Sequence, residues 1–238
     1  MTPRFHATPP EAVAETVEET VFIDDYRFLI QRPAESDALF DHPWVRSAYA
    51  ADQFIPYWAT LWPSARMLAK VVVREPWATA SPPLHALEVG CGLGLAGVAC
   101  LARGLSVTFS DVDETALTFA AANARRNGFT AFRTLPIDFR CPPDDRKYPV
   151  VIGSDLMYEE RLVSPLVGLL QAVLAPGGVC LITDPDRTAA RVFKWKLQEA
   201  GYAVTTELIR AGEPGGERTK GTLYRIRANA LPLAERTS

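Results

Sequence analysis

Between Leu84 and Asp184 short apolar, β-branched runs alternate with alanine- and leucine-rich stretches, and this alternation is the strongest constraint on the fold. "LHALEVG", "LSVTFSD", "TAFRTLPID", "YPVVIGSD" and "VCLITD" read as strands. Between them "LAGVACLARG", "DETALTFAAANARRNG" and the stretch from Ser164-Pro165 to about Leu174 read as helices, with Asp113 as a cap, Gly104 and Gly128 as stops, and "APGG" as a closing turn. Strand followed by helix implies a parallel sheet covered on both faces. After a further helix in "RTAARVFKWKLQEAG", the strands "YAVTTELIR" and "TLYRIRA" are joined by the loop "AGEPGGERTKG" instead of a helix. They are expected to pair antiparallel at one edge.

The 238 residues, 48% of them hydrophobic, suffice for one substantial core and are short for two. Residues 1–20 combine proline with acids and lack periodicity, which predicts a mobile tail. Residues 21–83 are expected to form an extension with a hairpin about Asp24-Asp25 and a helix opened by Pro63, residues 84–228 the core, and residues 229–238 a second tail. A net charge of −3 provides no long-range attraction to nucleic acid or anionic lipid. No signal-peptide pattern and no run of about 18 apolar residues is visible, so a cytoplasmic location is expected. Cys91, Cys100, Cys141 and Cys180 are widely spaced, and His6, His42 and His85 stand away from them. That spacing predicts reduced core thiols and no metal site.

"LEVGCGLGLAG" carries glycines at 90, 92, 94 and 97 where the first core strand ends. Ligands of open α/β sheets bind at such ends, where bare backbone and a helix N-terminus meet them. Three readings compete: a dinucleotide, an S-adenosyl nucleoside, or a tight turn. Asp111 lies about twenty residues on, placed to accept hydrogen bonds from both hydroxyls of a ribose. Glu88, just before the first glycine, suits a cofactor with an amino-acid moiety and a cationic sulfur better than a pyrophosphate. No second mononucleotide half follows, which disfavours a dehydrogenase and points to S-adenosylmethionine.

At these residues the sequence resembles the class I, seven-β-strand methyltransferases over roughly residues 55–228. "EVGCGLG" is similar to their cofactor loop, Asp111 to their ribose acid, and Asp138 in "LPIDF" to the residue that meets the adenine amino group. The likeness is greatest to the branch that methylates protein side chains, which includes the lysine methyltransferase of the electron-transfer flavoprotein β subunit. "PYWATLWPSARMLA", "DLMY" and "DPDR" carry it, the D-x-x-Y spacing of Asp155 and Tyr158 being the most discriminating. The resemblance implies an α/β, Rossmann-like, seven-stranded, mostly parallel sheet with an antiparallel last strand and a small N-terminal extension. It also implies S-adenosylmethionine as cofactor.

Methyl transfer from a sulfonium asks the protein chiefly for alignment and charge complementarity. Asp155 is expected to orient the acceptor nitrogen and Tyr158 to wall its channel; the bland alternative is a helix cap and a packed ring. Trp62 and Phe139 are candidates for cofactor contact, and Trp58 for core packing. Asp184 and Asp186 are candidates for substrate contact or capping. Arg187, Arg191 and Lys194, at helical spacing, read as a solvated face or a dock for an acidic protein. The leading reading is N-methylation of a protein lysine. A small, nicotinamide-like amine and a non-catalytic adenosyl-binding protein are the alternatives. Nucleic acid is disfavoured, because "SDLM" stands where amino-methylating DNA enzymes carry N/D-P-P-Y/F.

Overall fold

The computed structural model describes residues 3–79, 81–143, 146–212 and 218–228. The expected C-terminal tail 229–238 and residues 213–217 of the last loop lie outside them. An N-terminal hairpin of β1 (Thr16–Ile23) and β2 (Tyr26–Pro33) leads into α1 (Ser36–Phe40) and α2 (Pro43–Asp52), then a 3-10 turn at Tyr57–Ala59 and α3 (Pro63–Arg74). The alternating part follows as β3 (His85–Val89), α4 (Leu95–Ala102), β4 (Ser106–Asp111), α5 (Glu114–Arg126), β5 (Phe132–Pro136) and β6 (Tyr148–Ser154). It continues with α6 (Val163–Val173), β7 (Leu174–Asp184), α7 (Ala189–Glu199), β8 (Ala203–Gly212) and β9 (Arg218–Arg227). The "APGG" stretch does not separate helix from strand as expected. It lies within β7, where the register with β6 shifts between Tyr148 and Val150.

Seven strands form one sheet in the order β5-β4-β3-β6-β7-β9-β8. The first five pair in parallel and β9 runs antiparallel to both neighbours, as a Rossmann-like sheet with an antiparallel last strand requires. Side chains on β6 alternate between two apolar cores: Val150 and Ile152 join α3, α4 and α5, whereas Val151 packs with α6 and α7. Burial on both faces explains why these strands read as continuous apolar runs. Strand order reverses at β3, which lies between β4 and β6. The crevice is therefore at the carboxyl ends of β3, β4 and β6.

The N-terminal residues are not the loose tail their composition suggests. His6 pairs with Asp113 as an isolated parallel bridge, and β1 begins already at Thr16. Proline and acids predict mobility only when nothing receives the backbone, and here the end of β4 receives it. The hairpin is held in a related way. Asn123 in α5 and Asn127, which closes that helix, present their carboxamides to β2, accepting from the Gln31 and Leu29 N–H groups at 2.7 and 2.9 Å and donating to the same residues' carbonyls. Four helical residues rise about 6 Å and two strand residues about 6.6 Å, so two amides at that spacing imitate a neighbouring strand.

Asn123 also donates to the Leu93 carbonyl, linking the hairpin to the glycine turn. Asn123→Ala would remove the side-chain partner of the Gln31 N–H and carbonyl and of the buried Leu93 carbonyl. It is expected to cost about 2 kcal/mol in urea unfolding, within the usual range for such groups. A change below about 0.5 kcal/mol, typical of neutral surface sites, would show that the hairpin is held elsewhere.

Candidate active site

The glycine turn leaves β3 with Gly90 at φ +59°, and a Cβ there would lie 2.6 Å from Leu156. Gly90, Gly92 and Gly94 line a cavity at the crevice together with Asp111, Asp138, Phe139 and Trp62. The turn is tied to β4: Cys91 N donates to Ser110 O at 2.8 Å and Gly92 N to Asp111 Oδ2 at 2.9 Å. Asp111 Oδ1 accepts from Asp113 N at 3.1 Å. Burial pushes the Asp111 pKa up to about 6 against these backbone donors, so the group is an anion at neutral pH.

Glu88 is the exception among the residues expected at the cofactor. It is 3% exposed, is not part of the cavity wall, and accepts from Gly97 N at 3.0 Å on the first turn of α4. Gly97 likewise serves packing: a Cβ there would strike Glu88 and Phe109. A carboxyl two residues before the first glycine of a turn can point to either side of its strand, and sequence spacing does not choose.

Asp155 follows β6 with φ +56°, a conformation that non-glycine residues adopt seldom and often at functional sites. Its Oδ1 accepts from Arg187 Nε at 2.7 Å, and Asp155 and Tyr158 both face the cavity. Arg187 precedes α7 and reaches back 32 residues. It is therefore not part of a charged helical face with Arg191 and Lys194, neither of which lines the cavity. Asp184, fully buried, accepts from Arg187 N at 2.7 Å, and Asp186 accepts from the Thr222 hydroxyl. Both shape the turn after β7 and neither lines the cavity.

The Tyr158 ring is 38% exposed, yet burial of its hydroxyl end raises its pKa. Tyr57, which sequence reasoning did not single out, stands 4.8 Å from the Tyr158 ring centroid and 6.2 Å from that of Trp62. Trp62 Nε1 donates to Tyr57 O at 2.8 Å. These three rings wall the cavity beside Asp155. Trp58 is buried and also touches the cavity, its indole N–H donating to Asp113 at 3.0 Å. Tyr57 lies next to the noted tryptophans, in a turn whose direction no local pattern announces.

Asp138 lines the cavity, but its carboxylate is already engaged. Its carboxylate accepts from Arg140 N, Nε and Nη2 and from Arg4 N, at 2.8 to 3.1 Å. Arg140 also grips Asp52 at 2.7 Å. Burial pushes the Asp138 pKa up, but the Arg140 and Arg4 donors outweigh it and the net shift is downward. Among the described residues no group of histidines, cysteines and acids is arranged to hold a metal. No helix there is long and apolar enough to cross a membrane.

A family model described as lysine methyltransferase matches residues 57–196. The electron transfer flavoprotein beta subunit lysine methyltransferase of Danio rerio is 28% identical over 134 residues, 56% of this chain and 51% of that protein. The protein-lysine N-methyltransferase rrg1 of Schizosaccharomyces pombe is 27% identical over 186 residues, 69% of this chain and 58% of that one. The chain spans about half the length of the flavoprotein-directed relatives it matches. Among solved structures, a ribosomal protein L11 methylase from Lactobacillus delbrueckii superposes with a TM-score of 0.56 at 21% identity, covering 70% of this chain and 79% of that one. That likeness is one of fold.

The buried carboxyl of Glu88 makes the fold pH-sensitive. Desolvation raises its pKa from 4.5 to about 8, so the folded chain retains a proton that the unfolded chain releases. Stability from this group is complete below about 4.5 and is lost as pH rises to about 8. Glu88→Gln removes the titration while keeping an acceptor for Gly97. Its stability relative to the parent should rise across that window in urea titrations. A difference flat with pH would show that the carboxyl is solvated.

Proposed function

The chain belongs to the lysine methyltransferase family, and we propose that it transfers a methyl group from S-adenosylmethionine to the side-chain amine of a lysine in a protein. The observation that carries this reading is a single cavity walled by the glycine turn, Asp111, Asp155 and Tyr158. In this reading residues 84–228 are the catalytic core and 21–83 pack upon it.

The chemistry of the cavity fits the cofactor. Asp111, anionic at neutral pH, can accept from both ribose hydroxyls, and the glycine turn leaves bare backbone beside it. Trp62 and Phe139 offer flat apolar surface. When bound, the cofactor would supply a methyl on a sulfonium: the amine lone pair would form the N–C bond while the S–C pair stays on sulfur, and the resulting ammonium would give up its surplus proton to solvent on release.

Asp155 orients that nitrogen by accepting its hydrogen, and Arg187 holds the carboxylate in place from the far side. Tyr57, Trp62 and Tyr158 exclude water from the acceptor channel, which favours the neutral, nucleophilic amine. Cys91, Cys100 and Cys180, buried as thiols in the core, suit a reducing compartment, the cytoplasm in our reading.

Incubation with methyl-labelled S-adenosylmethionine and a protein lysate should yield labelled N-methyl-lysine after acid hydrolysis of the protein fraction. Asp155→Asn should lower the rate about 100-fold while leaving S-adenosylhomocysteine affinity within about twofold, the signature of lost alignment. Label confined to small molecules would overturn the protein-substrate reading. S-Adenosylhomocysteine affinity should also rise as pH increases through about 6, because ionised Asp111 is the better acceptor for ribose hydroxyls. Asp111→Asn should flatten that dependence, and an unchanged pH profile in the variant would remove Asp111 from the cofactor site.

A further inference from the structure

The N-terminal segment runs beside the ribose acid. His6 N donates to Val112 O at 3.0 Å and Glu114 N donates to His6 O at 2.9 Å, so His6 is held alongside the residues that follow Asp111. Its ring stacks on Phe54, with centroids 3.8 Å apart and planes 13° from parallel. Its Nε2 meets Asp52 at 3.3 Å. Both rings line the same cavity as Asp111 and Phe139. Asp138, the residue that the family resemblance assigns to the adenine, already accepts from Arg140 and Arg4. A purine amino group would compete there with Arg140 and Arg4, whereas flat stacked rings offer a purine surface that needs no displacement.

We propose that His6 and Phe54 are cofactor-binding residues that form one wall of the adenosine pocket. Both lie outside the residues matched by the family model, so this part of the site is contributed by the N-terminal extension. The inference rests on the methyltransferase reading, because the ligand is the adenosyl cofactor. The pocket is complete only when the N-terminal segment is docked on the end of β4. Stacking of a base on an aromatic ring contributes enough to be read directly in a binding constant.

The test is calorimetric titration of the full chain with S-adenosylhomocysteine. His6→Ala and Phe54→Ala should each weaken binding about tenfold. His6→Phe, which keeps the flat ring and loses the Asp52 contact, should stay within about twofold of the parent. Hydrogen exchange of the parent protein supplies a second readout that does not depend on the variants folding: the ligand should slow exchange at the His6 and Glu114 amides. Parent-like affinity in both alanine variants, or no added protection at those amides, would overturn the assignment while leaving the methyltransferase reading intact. Failure of the parent protein itself to bind would remove both.

Discussion

The carboxylate of Asp113 is the point on which the site depends. It is fully buried and accepts from Thr8 N and Thr8 Oγ1, from the Trp58 indole and from Thr115 N. One side chain thereby caps α5, fastens the N-terminal segment and anchors the aromatic turn before α3. Its own backbone N–H donates to Asp111. Such a hub holds because Thr8 and Trp58 are buried with it: loss of one of their contacts leaves polar groups without water or partner. The position of Asp111 in the cavity wall therefore depends in part on a segment more than a hundred residues away in sequence.

Around this hub the acids of the cavity separate by the company they keep. The hydrogen bonds to the Asp111 carboxylate come from backbone N–H groups, so acceptor capacity remains for hydroxyls. Asp155 and Asp138 are each held by an arginine, Arg187 and Arg140, that arrives from another part of the chain or turns back from nearby. Arginine suits both tasks, since its planar fork fixes the orientation of a carboxylate as well as its charge. At Asp155 that fixes an acceptor beside the aromatic channel. At Asp138 it occupies the carboxylate and ties α2 to the core through Asp52.

Much of the fold was legible because the forces that write it are local. Alternating apolar runs marked the parallel strands, Asp113 was readable as a cap, and the loop without a helix between β8 and β9 marked the antiparallel edge. The short helices α1 and α2 were not legible, because neither has a long apolar period and each is stabilised by what it packs against. Composition alone describes the N-terminal segment as a tail for the same reason. Its composition describes a chain with nothing to bind, and the bridge between His6 and Asp113 supplies the partner.

By itself the sequence determined which chemistry-bearing residues stand at strand ends: the glycines, Asp111, Asp138, Asp155 and Tyr158. Strand ends are set by short-range patterning, so their positions can be counted. Only the tertiary structure decided which way those side chains turn and what already occupies them. Glu88 turns to a helix N-terminus, Asp138 is taken by Arg140, and Tyr57, His6 and Phe54 enter the cavity from distant segments. Orientation and occupancy depend on contacts between segments far apart in the chain, and only the closed fold brings them together.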